Sequence, residues 1–267
     1  MMLLGAASDL TLAVLVCLAL IVGTWLVSNF TGNYSQVDRL WSVAPPAYAM
    51  LFAAATHFTN LRVDLAAALV TLWGVRLTYN FWRKGGYRRG SEDYRWAVLR
   101  ARLGPTGFAV FNATFIAPFQ NVLLLALAFP VWCAAHGTRP LGWLDALAAV
   151  GFVVLLCGET IADRQQWDFH AEKARRQAAG EPGPAFLTTG FFRYSRHPNF
   201  FCEISLWWCV WLFSVAAGVP WYTGIAGPVT LTLLFQGSTT MTERITRAKY
   251  AAYAEYQRTT SRLVPLP

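Results

Sequence analysis

The pattern of apolar and polar residues sets out seven apolar stretches of helical length, separated by short polar links. They run over Leu10–Phe30, Leu40–Phe58, Leu65–Trp82, Phe108–Ala134, Leu144–Ala162, Phe200–Ala217 and Trp221–Phe235. A helix needs about 20 apolar residues to cross a bilayer, and most of these stretches have close to that number. The first lacks a basic leader, so it reads as a retained helix, not a cleaved signal. Pro45 and Pro46 predict a kink in the second span or its true start. The fourth contains Asn112, Pro118, Gln120 and Asn121, and the fifth continues in helical pattern beyond the apolar part through Glu172. Gly180–Pro184 is a break, and a polar tail with helical pattern ends the chain at Pro267. The expected fold is an all-α integral membrane protein, a bundle of about seven transmembrane helices forming one domain over residues 1–267.

Composition agrees: 55% of the residues are hydrophobic, only 13% are charged, and 12 are Trp. The net charge of +8 is a topology signal and not a nucleic-acid signal, because the arginines lie between apolar spans. Of the 22 Lys and Arg, 19 fall in links 1–2, 3–4, 5–6 and the tail, while Arg62 and Arg139 lie in the opposite links and Arg76 within a span. The positive-inside rule then predicts the N-terminus outside and the C-terminus in the cytoplasm. The five cysteines, Cys17, Cys133, Cys157, Cys202 and Cys209, have no metal-ligand spacing, so neither zinc nor a disulfide framework is expected.

Four polar constellations stand out. The first is Phe191–Trp208, where Arg193, Tyr194, Ser195, Arg196, His197 and Asn199 lead into an apolar helix carrying Glu203. With Pro198 at the helix start, Asn199 and Glu203 share a face. A helix mouth with flanking arginines suits phosphate, and a carboxylate in an apolar helix needs a partner. Positive-inside anchoring explains the arginines but leaves His197, Asn199 and Glu203 without a role.

The second constellation is Glu159, Asp163, Trp167 and His170, on one helical face where the fifth span ends. The third joins Arg76 to the basic segment Arg83–Arg102, which includes Glu92, Asp93, Tyr94 and Arg95. It reads either as a phosphate grip or as contact with anionic lipid. Its GGYRRG stretch follows no strand and precedes no Lys-Ser, so it is not a phosphate loop. The fourth is Asp38 with Trp41 at the mouth of the second span, together with Tyr79 in the third. Asp38 also fits a helix-dipole partner and Tyr79 an interfacial anchor.

Tyr194-Ser195-Arg196-His197-Pro198-Asn199 with Glu203, preceded by the Asp163 face, Arg76 and Glu92-Asp93-Tyr94-Arg95, resembles the steroid 5α-reductase family, in particular its bacterial branch. The resemblance covers about Asp38 to Pro267. It implies a seven-helix reductase that uses NADPH to reduce the C=C bond of an enone, such as a 3-oxo-Δ4-steroid or similar lipid. It further implies that residues from about 144 onward carry most of the cofactor site. Asn199 and Glu203 would hold the nicotinamide and ribose, with Asp163 a further cofactor contact and Arg76 reaching a phosphate. His170, Arg193, Tyr194, Arg196, His197, Tyr94, Arg95 and the tail residue Tyr256 complete the expected cofactor set. The family polarises the substrate keto group with a glutamate on the second helix and a tyrosine on the third. Here the second span has no glutamate and Trp73 lies nearest the tyrosine position, which leaves Asp38 and Tyr79 as catalytic stand-ins. The expected partners are a hydrophobic small molecule and membrane lipids, with no nucleic acid and no obligate protein partner. Two rival readings share the features: an S-adenosylmethionine-dependent methyltransferase of the isoprenylcysteine type, and a non-catalytic lipid-binding protein.

Overall fold

The computed structural model describes the backbone of residues 2–266 and the side chains of residues 9–266. Among the described residues there is no strand. Helix α1 spans Met2–Thr31, α2 Gln36–Leu40, α3 Ala44–Ala55, α4 Leu61–Arg83 and α5 Tyr94–Phe111. A π-helix over Asn112–Phe119 leads into α6, Gln120–Ala135, followed by α7, Trp143–Ala179. A 3₁₀ turn over Gly190–Arg193 precedes α8 (Pro198–Ala216), α9 (Ala226–Lys249) and α10 (Tyr253–Thr259).

The chain is a membrane protein: Asp9–Thr31, Tyr94–Ala135, Trp143–Ala179 and Pro198–Ala216 are long and apolar enough to cross a bilayer. The remaining expected spans are helical but fall short of that measure. Helix α3 is apolar but has only 12 residues, because Pro45 sits in its first turn and makes Ala44 the true start. Helix α4 carries Arg62, Asp64, Arg76 and Arg83. Helix α9 carries Glu243, Arg244, Arg247 and Lys249. It begins five residues later than the apolar pattern suggests, since the turn before it holds Gly224 at φ 77° and a Thr223 N–H to Pro220 carbonyl bond of 2.9 Å.

Within the basic segment, Asp93 caps α5, accepting from the Arg95 N–H at 2.8 Å. The helical run breaks at Gly104, where φ is 68°, and Pro105 follows directly.

The chain divides into two compact units, each with its own packing. The first comprises residues 1–149 and 210–227. In it α3 packs on α4 and α6, and α1 packs on α3, α6 and the π-helix. Gly74 lets α4 approach α3 closely, because a Cβ there would collide with Pro46 and with the Ser42 carbonyl. Trp73, Tyr48, Phe52, Leu124 and Leu127 are fully enclosed. Arg62 is also buried in this unit. Its Nε donates to Asp145 Oδ1 at 2.6 Å and its Nη2 to Asp145 Oδ2 at 2.9 Å. Further bonds run to the carbonyls of Arg139 (2.9 Å), Pro140 (2.9 Å) and Ala216 (3.5 Å).

The second unit comprises residues 150–209 and 228–267. Phe152, Leu206, Trp207 and Leu231 are buried in it. Trp208 Nε1 donates to Thr232 Oγ1 at 3.2 Å, tying α8 to α9, and Phe200 meets Phe235 edge to face at 4.7 Å.

Candidate functional site

The second unit assembles its polar residues around the start of α8. Gly190, at φ 63°, sits where any Cβ would run into the Gln165 side chain. That close approach brings the Phe191 N–H to Gln165 Oε1 at 2.9 Å and lays the 3₁₀ turn against α7. Ser195 is fully buried. Its hydroxyl accepts from the His197 N–H at 3.1 Å and donates to the Leu263 carbonyl at 2.8 Å. The C-terminal tail thereby folds back over the turn. The Arg196 N–H donates to the Ser261 carbonyl at 2.8 Å, and the Leu266 N–H to the Tyr194 carbonyl at 3.0 Å.

Beneath that turn lies a buried charge network centred on Glu243 of α9. Arg196 donates to it through Nε at 2.7 Å and Nη2 at 3.2 Å. The His197 ring nitrogen Nε2 lies 3.0 Å from the same carboxylate, and Gln257 Nε2 donates to it at 2.8 Å. Arg196 spends its remaining nitrogen on the carbonyls of Gln257, at 3.0 Å, and Thr260. Burial opposes ionisation of Glu243, but the bonds from His197, Arg196 and Gln257 and the charge of Arg196 outweigh it and hold the carboxyl down at about 2. His197 is further fixed by stacking on Phe200, at 5.3 Å and 20°.

Next to the network, the two expected constellations meet. Asn199 Nδ2 donates to Asp163 Oδ1 at 3.2 Å, joining α8 to α7. Glu203 accepts from Trp207 Nε1 at 3.0 Å. Asp163, Glu159 and Glu203 are all buried, and Asn199 is half-buried. Three acids and an amide on two apolar helices therefore lie in one compact unit. His170, further along the same face of α7, is exposed, as are Arg193 and Tyr194. Lys173 Nζ donates to the Tyr250 hydroxyl at 3.0 Å, and this bond, with the nearby Lys249, holds the Tyr250 phenol below its ordinary range.

Three residues of the expected cofactor set, Arg196, His197 and Tyr256, have polar atoms engaged with protein groups, His197 through the contact with Glu243 already described. Arg196 has all three guanidinium nitrogens on Glu243 and tail carbonyls, so its task is to hold the helix mouth together. Tyr256 is buried against Phe186, with ring centroids 5.7 Å apart, and its hydroxyl donates to the Phe192 carbonyl. Glu243, which organises the network, was not singled out in the sequence. The available signal is a lone acid among the basic residues Arg244, Arg247 and Lys249.

The other candidates belong to the first unit. Asp38, on the short helix α2, accepts from Trp96 Nε1 at 3.0 Å. Burial pushes its carboxyl up, against the pull of Ser35, Trp96 and Arg95. Arg95 pairs with Asp93 at 2.8 Å beside the exposed Tyr94, and Arg76 is half-buried on α4. Tyr79 is 59% exposed, beside Trp82 and under the Arg83 guanidinium, the setting of an interfacial anchor. A better-enclosed phenol is Tyr48 of α3, 2% exposed with its hydroxyl beside the Cys17 thiol, which the apolar pattern of the second span conceals.

Residues 24–260 match the family described as protein of unknown function, DUF1295. A curated relative, uncharacterized protein C594.04c of Schizosaccharomyces pombe, is 36% identical over 264 residues, covering 90% of this chain and 75% of the relative. No solved structure matches. The chain belongs to the DUF1295 family.

Proposed function

We propose that this DUF1295 member is a membrane-embedded reductase that uses NADPH to saturate the C=C bond of a hydrophobic enone. In this reading seven spans cross a bacterial inner membrane, with the N-terminus outside and the cofactor side facing the cytoplasm. The motif around His197 and Asn199 resembles that of the steroid 5α-reductase family. The observation that carries the reading is the bond from Asn199, at the start of α8, to the buried Asp163 of α7, with a second buried acid, Glu203, one turn further along α8.

The donor set fits the group. Carboxylates accept from ribose hydroxyls or a carboxamide N–H, and Asn199 offers a donor and an acceptor beside them. The exposed His170, Arg193 and Tyr194 suit the phosphate-bearing part, with arginine favouring a 2′-phosphate. NADPH, when bound, supplies the hydride delivered to the β-carbon of the enone. The protein's own part is to bind, orient and stabilise charge. Arg196, His197 and Glu243 keep the mouth of α8 in shape, while Asp163, Asn199 and Glu203 set the orientation. Asp38 is assigned the substrate oxygen, because a carboxyl that holds its proton more tightly than usual can donate to a keto group as negative charge develops there. A largely apolar chain in a bilayer gives a hydrophobic substrate a direct route of entry.

Thermal stabilisation of the purified protein in detergent tests the reading. NADPH should stabilise it more than NADH does, and Glu203→Gln should weaken NADPH binding by about 1–3 kcal/mol, the loss of a charged hydrogen bond. Stabilisation by S-adenosylmethionine and not by NADPH would make the methyltransferase reading the correct one.

A further inference from the structure

The first unit holds a second polar constellation, in a place where water cannot satisfy it. Asn112 opens the π-helix and is completely buried, yet neither its Nδ2 nor its Oδ1 has a hydrogen-bond partner. Two further amides follow at the start of α6. Gln120 accepts from Trp41 Nε1 at 3.0 Å through Oε1, which fixes its amide and leaves Nε2 as a buried donor with no partner. Asn121 donates through Nδ2 to Thr24 Oγ1 at 3.1 Å and to the Ala117 carbonyl at 2.8 Å, leaving Oδ1 as a buried acceptor with no partner.

The backbone brings these groups to one side. Asn112 and Asn121 are nine residues apart, which is two and a half turns of an α-helix, so regular winding puts them on opposite faces. The wider π turn, with i→i+5 bonding and about 4.4 residues per turn, returns to the same face after nine. The burial pattern follows the wider period: Asn112, then Ile116 and Ala117, then Gln120 and Asn121 are all buried. Next to that face, Phe111, Phe115 and Phe119 stack in sequence at 4.8 and 4.7 Å, and all three are half-buried.

A buried amide without a partner is destabilising, and π-helical turns are rare and concentrate at functional sites. We propose that this face is a binding site for the uncharged oxygen function of a hydrophobic molecule. An open N–H donor, on Asn112 or on Gln120, can pair with a lone pair of a ketone oxygen. The open acceptors, on Asn112 and Asn121, allow a hydroxyl equally well. Neither Asn112, Gln120 nor Asn121 carries charge, so a carboxylate, although it can accept from the same N–H groups, finds no cation there to offset its desolvation. The phenylalanine ladder supplies apolar surface for the body of the ligand. Identifying the ligand as an enone rests on the reductase reading; the preference for neutral oxygen does not.

The test is direct binding to the full-length protein in nanodiscs. The probes are progesterone and hexadec-3-en-2-one, with the parent hydrocarbons and palmitate as controls. At least one enone should bind saturably and at least tenfold more tightly than its hydrocarbon and than palmitate. Asn112→Leu should weaken that enone tenfold or more while leaving ligand-free thermal stability equal or higher, since it removes an unmet buried amide. Asn112→Ala gives the same reading if the leucine variant does not fold. Equal enone affinity in wild type and both variants, tighter binding of palmitate, or no saturable enone binding in wild type would overturn the site. An NADPH titration run in parallel separates the two claims. Enone binding that depends on Asn112 without any NADPH binding supports the site and sinks the reductase reading; NADPH binding together with enone binding that is unchanged in the Asn112 variants does the reverse.

Discussion

Two buried arginines in this protein look alike and do different things. Arg62 and Arg196 each grip a carboxylate with two nitrogens and direct others at backbone carbonyls. Around Arg62 the circle is closed: Asp145 takes Arg62 and the Gly142 N–H at 2.8 Å, and among the described residues the other partners of Arg62 are backbone carbonyls. Around Arg196 the carboxylate of Glu243 also takes His197 and Gln257, and the bonds run to a tail strapped across the start of α8. The first arrangement locks helix ends together. The second shapes the place where Asn199, Asp163 and Glu203 gather. A buried arginine is therefore not by itself a ligand site; what matters is whether its partners belong to the scaffold or to a helix mouth.

Breaking each lock should give different symptoms. The largest effect is expected for Arg62→Met, which strands Asp145 without its cation and should cost about 3–5 kcal/mol of stability. NADPH affinity in the folded fraction should stay at the wild-type level. Adding Asp145→Leu should recover most of the loss, because the desolvated charge goes too. Melting curves of the single and double variants check this, and a double variant as unstable as the single one would show the pair to be more than a lock.

Glu243 should come next, and its signature is pH. Its carboxyl sits at about 2 in the fold against an ordinary value of 4.5, so its contribution is complete above 4.5 and disappears as pH falls from there towards 2. The shift corresponds to about 2–4 kcal/mol. Melting temperature followed between pH 6 and pH 3 should decline in wild type more steeply than in Glu243→Gln. Unlike the Arg62 variants, Glu243→Gln should also lose NADPH affinity. Parallel pH curves would remove Glu243 as the source of acid sensitivity.

The smallest and sharpest contrast is between the two residues assigned to the substrate carbonyl. Asp38 is held by Trp96 with its carboxyl pushed up, and Asp38→Asn should lower turnover roughly tenfold with NADPH affinity nearly unchanged. Tyr79 is exposed among anchoring residues, and Tyr79→Phe should leave turnover within about twofold of wild type, as expected of a surface substitution. Enone reduction assays on both variants decide, and the reverse ranking would return the role to the phenol.

The Asn199–Glu203 face was legible in the sequence because i, i+4 spacing in an apolar helix states which side chains share a face. The Asp163 face was legible for the same reason. Arg62 was not, because an arginine in a short link reads as a topology marker, and its partner lies 83 residues away. Glu243 was hidden in a tail whose composition is that of a solvated helix. Asn112 and Asn121 were visible as polar residues in the fourth span, yet α-helical periodicity separates them, and only the π winding reunites them. Local spacing carries the parts of the site built on one regular helix. It does not carry those that depend on a change of winding or on the return of a distant segment.

The proposed reaction is hydride transfer from NADPH to an enone carbon. It is tested most directly by incubating the purified protein with NADPH deuterated at C4 and an α,β-unsaturated ketone that it binds, then locating the label by mass spectrometry. The product should be a saturated ketone carrying deuterium at the β-carbon, with the label lost from the nucleotide in equal amount. Nucleotide that keeps all its label beside a methylated product when S-adenosylmethionine is supplied would contradict it.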